Sequence, residues 1–164
     1  MHPPVGPAWL VWLETSALAT AMRQWTWLYP AVEIVHILGF VVLVGAAVMF
    51  DVRLLGASRR LPVTGLERHL LRSARFSLLL VVPSGLLMFV AHATEMAFNP
   101  AFRVKLILLV AAGLNAAVFH RVPFKSVAGW DADCIAPGAA RTAAMLSLML
   151  WAGVIACGRL LAYF

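Results

Sequence analysis

"LYPAVEIVHILGFVVLVGAAVMF", residues 28–50, decides the fold. Its 23 residues contain one acid, Glu33, and no lysine or arginine. About 20 apolar residues suffice to carry a helix through the hydrocarbon of a bilayer. The same stretch holds His36 one helical turn after Glu33. A charged side chain placed mid-membrane costs about 2.5–3.5 kcal/mol on insertion scales, so both residues need a partner or a purpose.

The rest of the chain fits that medium. Of 164 residues, 63% are hydrophobic and only 12% charged, against about 25% charged in an ordinary soluble domain. Mean hydropathy is +0.90. The formal charge is +6, from 13 Lys and Arg against 7 Asp and Glu. In a membrane protein such an excess marks cytoplasmic loops. No basic stretch is interleaved with aromatics, so nucleic acid is not an expected partner. The N-terminus lacks a basic n-region and carries Glu14 in its apolar run, unlike a cleaved leader. Cys134 and Cys157 are too few for a disulfide framework. No CxxC, CxxCH, Walker A or GxGxxG motif occurs, and neither repeats nor a second domain are visible.

Residues 1–164 therefore read as one integral membrane domain. It is all-α: a transmembrane four-helix bundle with spans near 28–50, 74–97, 101–121 and 140–163. Asn99-Pro100 opens the third span as an N-cap followed by proline at the first helical position. The second should begin earlier, in a basic segment that "TGLE", Thr64 to Glu67, starts as a capping box. Pro83 should kink it. Residues 8–24, bracketed by Trp9, Trp12, Trp25 and Trp27, read as an amphipathic helix lying in the interface.

Charge orients the bundle. Arg53, Arg59, Arg60, Arg68, Arg72, Arg75, Arg121, Lys125 and Arg141 belong to the two connections at one end. Only Arg23, Arg103, Lys105 and Arg159 lie toward the other. The basic end should face the cytoplasm and both termini the periplasm.

"FVAHATEMAF", residues 89–98, repeats the polar pair in reverse as His92 and Glu95. Spans one and two run antiparallel, so reversal puts like with like. At about 1.5 Å per residue, both histidines lie about 10 Å inside the terminal end, with an acid one turn further out. Three arrangements satisfy these groups. Arg159 and Lys105 can neutralise Glu33 and Glu95 in a cofactor-free structural cluster. His36 and His92 can ligate a b-type haem, with Gly85 giving room for the ring and Arg159 and Lys105 facing the propionates. Or His36, His92, Glu33 and Glu95 can hold a single transition-metal ion. A di-iron carboxylate centre fits poorly, because it needs further acids on the other two helices and spans three and four contain none. His69 and His120, at the basic end, are candidates for a second haem site. Asn115 should bridge helices.

"WLYPAVEIVHILGF", "FDVRLLG", "NPAFRVKLILLVAAGLNAAVFH" and "LSLMLWAGVIACGRLLAYF" together resemble an uncharacterised bacterial family of small four-span membrane proteins. The resemblance implies an integral inner-membrane protein of this topology and carries no assigned activity. A looser likeness, in architecture and intramembrane histidines, is to membrane cytochrome b and CopD-like proteins. No nucleophile–base pair is readable, so a self-contained enzyme is not expected. The expectation is a b-type haem held by His36 and His92 in an electron-transfer or redox-anchor subunit, with a periplasmic or membrane redox partner or a larger membrane complex beside it.

Overall fold

The structure is a computed structural model describing residues 5–163; the extreme ends of the expected domain, 1–4 and 164, lie outside the described residues. Among these the regular elements are all helical: α1 (Ala8–Glu14), α2 (Ala17–Gln24), α3 (Leu28–Leu54), α4 (Val63–Ala91), α5 (Ala93–Phe98), α6 (Pro100–Arg121) and α7 (Gly138–Leu160), with a short 3-10 helix over Pro123–Gly129. Four of them, α3, α4, α6 and α7, are long and apolar enough to cross a membrane. Large apolar side chains lie exposed along them, such as Leu79, Ile107, Val110 and Met149. Such a surface matches a lipid environment.

α3 begins after Trp27, and Pro30 falls in its first turn, where a missing N–H costs nothing. It ends in a glycine cap. Gly56 has φ +112°, its N–H reaches Arg53 O at 3.1 Å, and Ala57 N–H reaches Val52 O at 3.1 Å. That pair of bonds is the pattern of a left-handed terminal residue.

α4 starts at Val63, well before the apolar run, as the basic pattern suggests. At 29 residues it is about 44 Å long, more than the roughly 30 Å of hydrocarbon. The capping box over Thr64–Glu67 does not form. Thr64 is already inside the helix, and its N–H and hydroxyl both donate to the Asp131 carboxylate, at 2.8 and 2.9 Å. An acid from the other connection therefore caps α4. Pro83 lies within α4, and the helix continues through it.

The expected second span does not run to residue 97. α4 stops at Ala91, His92 leaves helical geometry with φ −138° and ψ 46°, and α5 follows. The reason lies in the N-terminal segment. The Glu14 carboxylate accepts from Thr94 N–H at 2.7 Å and from its hydroxyl at 2.6 Å. Arg23 donates to Ala91 O at 2.6 Å and Glu14 O at 2.8 Å. The break's backbone groups are thus satisfied from outside α4. The surface helix itself is two helices. Thr15 folds its hydroxyl back onto Val11 O, and Ser16 caps α2 through Ala19 N–H at 3.2 Å. Its four tryptophans are exposed, as an interfacial position requires. Asn99 caps α6 as expected, accepting from Phe102 N–H at 3.2 Å.

α3 packs on α4, α6 on α7, and α3 on α7, while α4 and α6 do not pack along their lengths. A buried core lies at the basic end, where Phe50, Leu54, Val63, Phe119, Trp130 and Ala140 cluster. Arg53, 2% exposed, braces it by donating to Leu61 O, Arg59 O and Asp131 O at 2.8–3.0 Å. Arg53 is therefore a buried strut rather than a free loop cation. A cleft runs between the four spans, from Tyr29 and His92 at the terminal end to Asp51 and His120 at the basic end.

Candidate functional site

α3 and α4 approach closely because Gly39 has no side chain where α4 crosses: a Cβ there would meet the Ser77 carbonyl at 3.3 Å and Val81 Cγ2 at 2.8 Å. One turn along α3, His36 meets α4 at Val81, Ser84 and Gly85. Its Nδ1 is 3.1 Å from Val81 O and 3.0 Å from Ser84 Oγ. A carbonyl only accepts, so this geometry assigns the proton to Nδ1 and leaves Nε2 with a free lone pair. Ser84 gives its own hydroxyl hydrogen to Leu80 O, so its oxygen can accept from the imidazole. A Cβ on Gly85 would stand 3.0 Å from His36 Cε1. The glycine makes the room the ring occupies.

His36 borders a cleft of about 1160 Å³ between α3, α4, α6 and α7, at or above the upper end of small-molecule sites, which run to about 1,000 Å³. Tyr29, Glu33, Gly85, His92 and Lys105 also border it at the terminal end. Most of the wall is apolar, and the cleft reaches Asp51, Arg75, Asn115 and His120 toward the basic end.

The histidines do not oppose each other at one depth. His36 faces Gly85, whereas His92 faces Tyr29, edge to face with ring centroids 5.9 Å apart. Gly85 and His92 are seven residues apart, about 10 Å along a helix axis. The antiparallel register between α3 and α4 thus differs from the one that matched depths require. The neutralising cluster is also not assembled. Arg159 turns to the chain end, donating to the Tyr163 hydroxyl at 2.9 Å with its guanidinium 5.1 Å from that ring centroid. Among the described residues the close contacts between acidic and basic side chains are Arg75–Glu67 at 3.8 Å and His92 Nδ1–Glu95 Oε2 at 4.0 Å, so neither Glu33 nor Glu95 meets Lys105 or Arg159. Glu95 is mostly exposed. No group of three His, Cys, Asp or Glu side chains among the described residues is placed to hold a metal ion, so the expected four-residue ligand set is not gathered.

The second pair is not brought together either. His69 is exposed on α4. His120 borders the cleft, edge-on to Phe119 and Phe124, with both centroids 5.3 Å away. Asn115 does bridge helices, donating to Ala143 O of α7 at 2.9 Å. Cys134 is exposed and Cys157 buried.

Sequence reading passed over Asp51, which is 6% exposed and borders the cleft. The signal was present: an acid two residues before an arginine at the end of an apolar run. It also missed Ser84, the hydroxyl that receives His36. Serine in a membrane helix is common enough that nothing local distinguished it from Ser77.

Fold and site together define an all-helical, multi-pass membrane protein with four candidate spans and an intramembrane cleft bordered by imidazole, carboxylate and ammonium groups. Residues 9–164 match the family model described as "Family of unknown function (DUF6644)", and the chain belongs to that family. No curated protein and no solved structure matches the chain.

Proposed function

We propose that this is a b-type-haem-binding membrane protein, an electron-transfer or redox-anchor subunit, with His36 as the principal axial ligand. The observation that carries the reading is the His36 imidazole. It is fixed through Nδ1 to the α4 backbone, has a free Nε2, and stands over a glycine at the wall of a large apolar cleft. An iron-ligating histidine characteristically donates its other ring N–H to a carbonyl, which fixes tautomer and orientation and raises ligand basicity. Lys105, bordering the same end, is the cation placed for propionates. His92 borders the cleft two turns further out, beside Tyr29, so the expected pairing of His36 with His92 on one iron is not carried forward. Haem bound there would supply a one-electron carrier in low-dielectric surroundings.

The excess of arginine and lysine at the opposite end supports a bacterial inner-membrane orientation with both termini periplasmic. The terminal end, and His36 with it, then lies within reach of a periplasmic or membrane redox partner.

The test is an absorption spectrum of protein purified from haem-replete cells, reduced and oxidised, with haem and metals quantified per chain. Sharp reduced bands at one haem per chain are expected. His36→Ala should lose the haem, whereas His92→Ala should retain it. A colourless protein, or a spectrum indifferent to His36→Ala, refutes the reading.

A further inference from the structure

α4 and α6 do not pack along their lengths, so the cleft has a flank between them. Leu78, Val82 and Leu86 of α4 border the cleft, as do Leu106, Gly113 and Ala116 of α6, and all six are exposed. The spacing of four residues puts the α4 trio on one helix face. At the terminal end Phe89 and Phe102 bridge the two helices, their rings stacked with centroids 5.5 Å apart. At the basic end Arg75 and His120 border the space. Arg75 and Leu86 are eleven residues apart, about 16 Å along the helix. One leaflet of hydrocarbon is about 15 Å deep, half of the usual core. The flank is therefore an apolar slot one leaflet long, with a guanidinium at its mouth.

Length discriminates among occupants. A partner's transmembrane helix needs a flank open through the whole core, about 30 Å, and the Phe89–Phe102 stack closes this one part-way. An acyl chain needs one leaflet. Charge at the mouth then selects the head. Arg68 and Arg72 are exposed on the two turns before Arg75, and the spacing i, i+4, i+7 lines the three along one side of α4. No acidic side chain among the described residues pairs with Arg68 or Arg72. Glu67 meets Arg75 through one guanidinium nitrogen at 3.8 Å and leaves that side chain 73% exposed. Asp51 is buried. Such a row of arginines at headgroup level attracts phosphate and repels the ammonium of a zwitterionic head.

We propose that the α4–α6 flank holds one anionic phospholipid of the basic-side leaflet, with an acyl chain in the slot and its phosphate on Arg75 and Arg72. Lipid binding there does not rest on haem at His36.

The full chain is purified in detergent, delipidated and returned to mixed micelles containing phosphatidylglycerol or phosphatidylethanolamine with the same acyl chains. Lipid retained per chain is read by native mass spectrometry. One phosphatidylglycerol per chain is expected, retained about tenfold or more over phosphatidylethanolamine. Arg72→Gln and Arg75→Gln should each lower its retention about fivefold, the worth of one arginine near an anionic lipid surface. A Cβ at Gly113 would meet nothing within 4 Å, so Gly113→Leu should fold, fill the slot and expel the lipid. Gly45 has the same free space and does not border the cleft, so Gly45→Leu should keep it. Equal retention of phosphatidylethanolamine by the native protein overturns the proposal. Native retention of phosphatidylglycerol by Gly113→Leu shows surface attraction without a slot and also overturns it. So does a second protein chain, or a second copy of this one, cross-linked through photo-leucine at positions 78 and 86 in place of lipid.

Discussion

Placing a methyl group on Gly39 should destabilise the bundle, whereas the same change at Gly45 should not. The two glycines lie six residues apart on α3. A Cβ at Gly39 would stand 2.8 Å from Val81 Cγ2, 3.2 Å from Leu80 Cβ and 3.3 Å from the Ser77 carbonyl oxygen. Carbon atoms rest at about 3.5–4.0 Å, so the worst contact falls short by about 0.7 Å. Val81 cannot swing clear, because a β-branched side chain in a helix keeps one dominant χ1 rotamer. Ser77 O is backbone. α4 must therefore move away, at the roughly 1–3 kcal/mol typical of an overpacked site. At Gly45 nothing lies within 4 Å. Both substitutions share the gain of up to about 1 kcal/mol from replacing a helical glycine, so the difference between them isolates the steric effect. Gly39→Ala should come out about 1–3 kcal/mol less stable than Gly45→Ala. The assay is reversible unfolding in mixed micelles, followed by circular dichroism. If the two variants unfold together, or Gly39→Ala is the more stable, the close α3–α4 crossing that seats His36 against Val81 O is wrong.

Arg53→Leu should cost about 3–5 kcal/mol, since the three carbonyls it serves lose a buried cation; faster proteolysis at both basic-end connections would register it, and native resistance would refute it. Glu14→Ala leaves the Thr94 N–H and hydroxyl without their carboxylate and should open the α4–α5 junction, costing about 1.5–3 kcal/mol; hydrogen exchange at residues 93–95 should quicken, whereas unchanged exchange would sink the latch. Cys134 is exposed and Cys157 buried, so a maleimide should modify Cys134 far faster. With the basic end inward, an impermeant maleimide should reach Cys134 in intact cells only after permeabilisation; prompt labelling without it would reverse the orientation.

What the sequence determined by itself is the medium, the spans and most of their ends. A span in lipid must satisfy its own backbone hydrogen bonds, so composition over about 20 residues decides that it is a helix whatever lies beside it. Asn99-Pro100 acts through its own backbone and side chain, and a cap of that kind is legible in place. The faces were not legible. α3 is apolar on every side between Ile37 and Phe50, and lipid tails are as apolar as leucine, so the pattern names no preferred contact. Its register on α4 is decided by close packing at Gly39 and Gly85. That packing sets His36 against Val81 and Ser84, and places His92 two turns further out beside Tyr29. The ends controlled from afar were likewise invisible. Asp131 caps α4 across 67 residues, and Glu14 holds the break at His92 across 80. Such bonds depend on which loops meet, and only the folded chain brings them together.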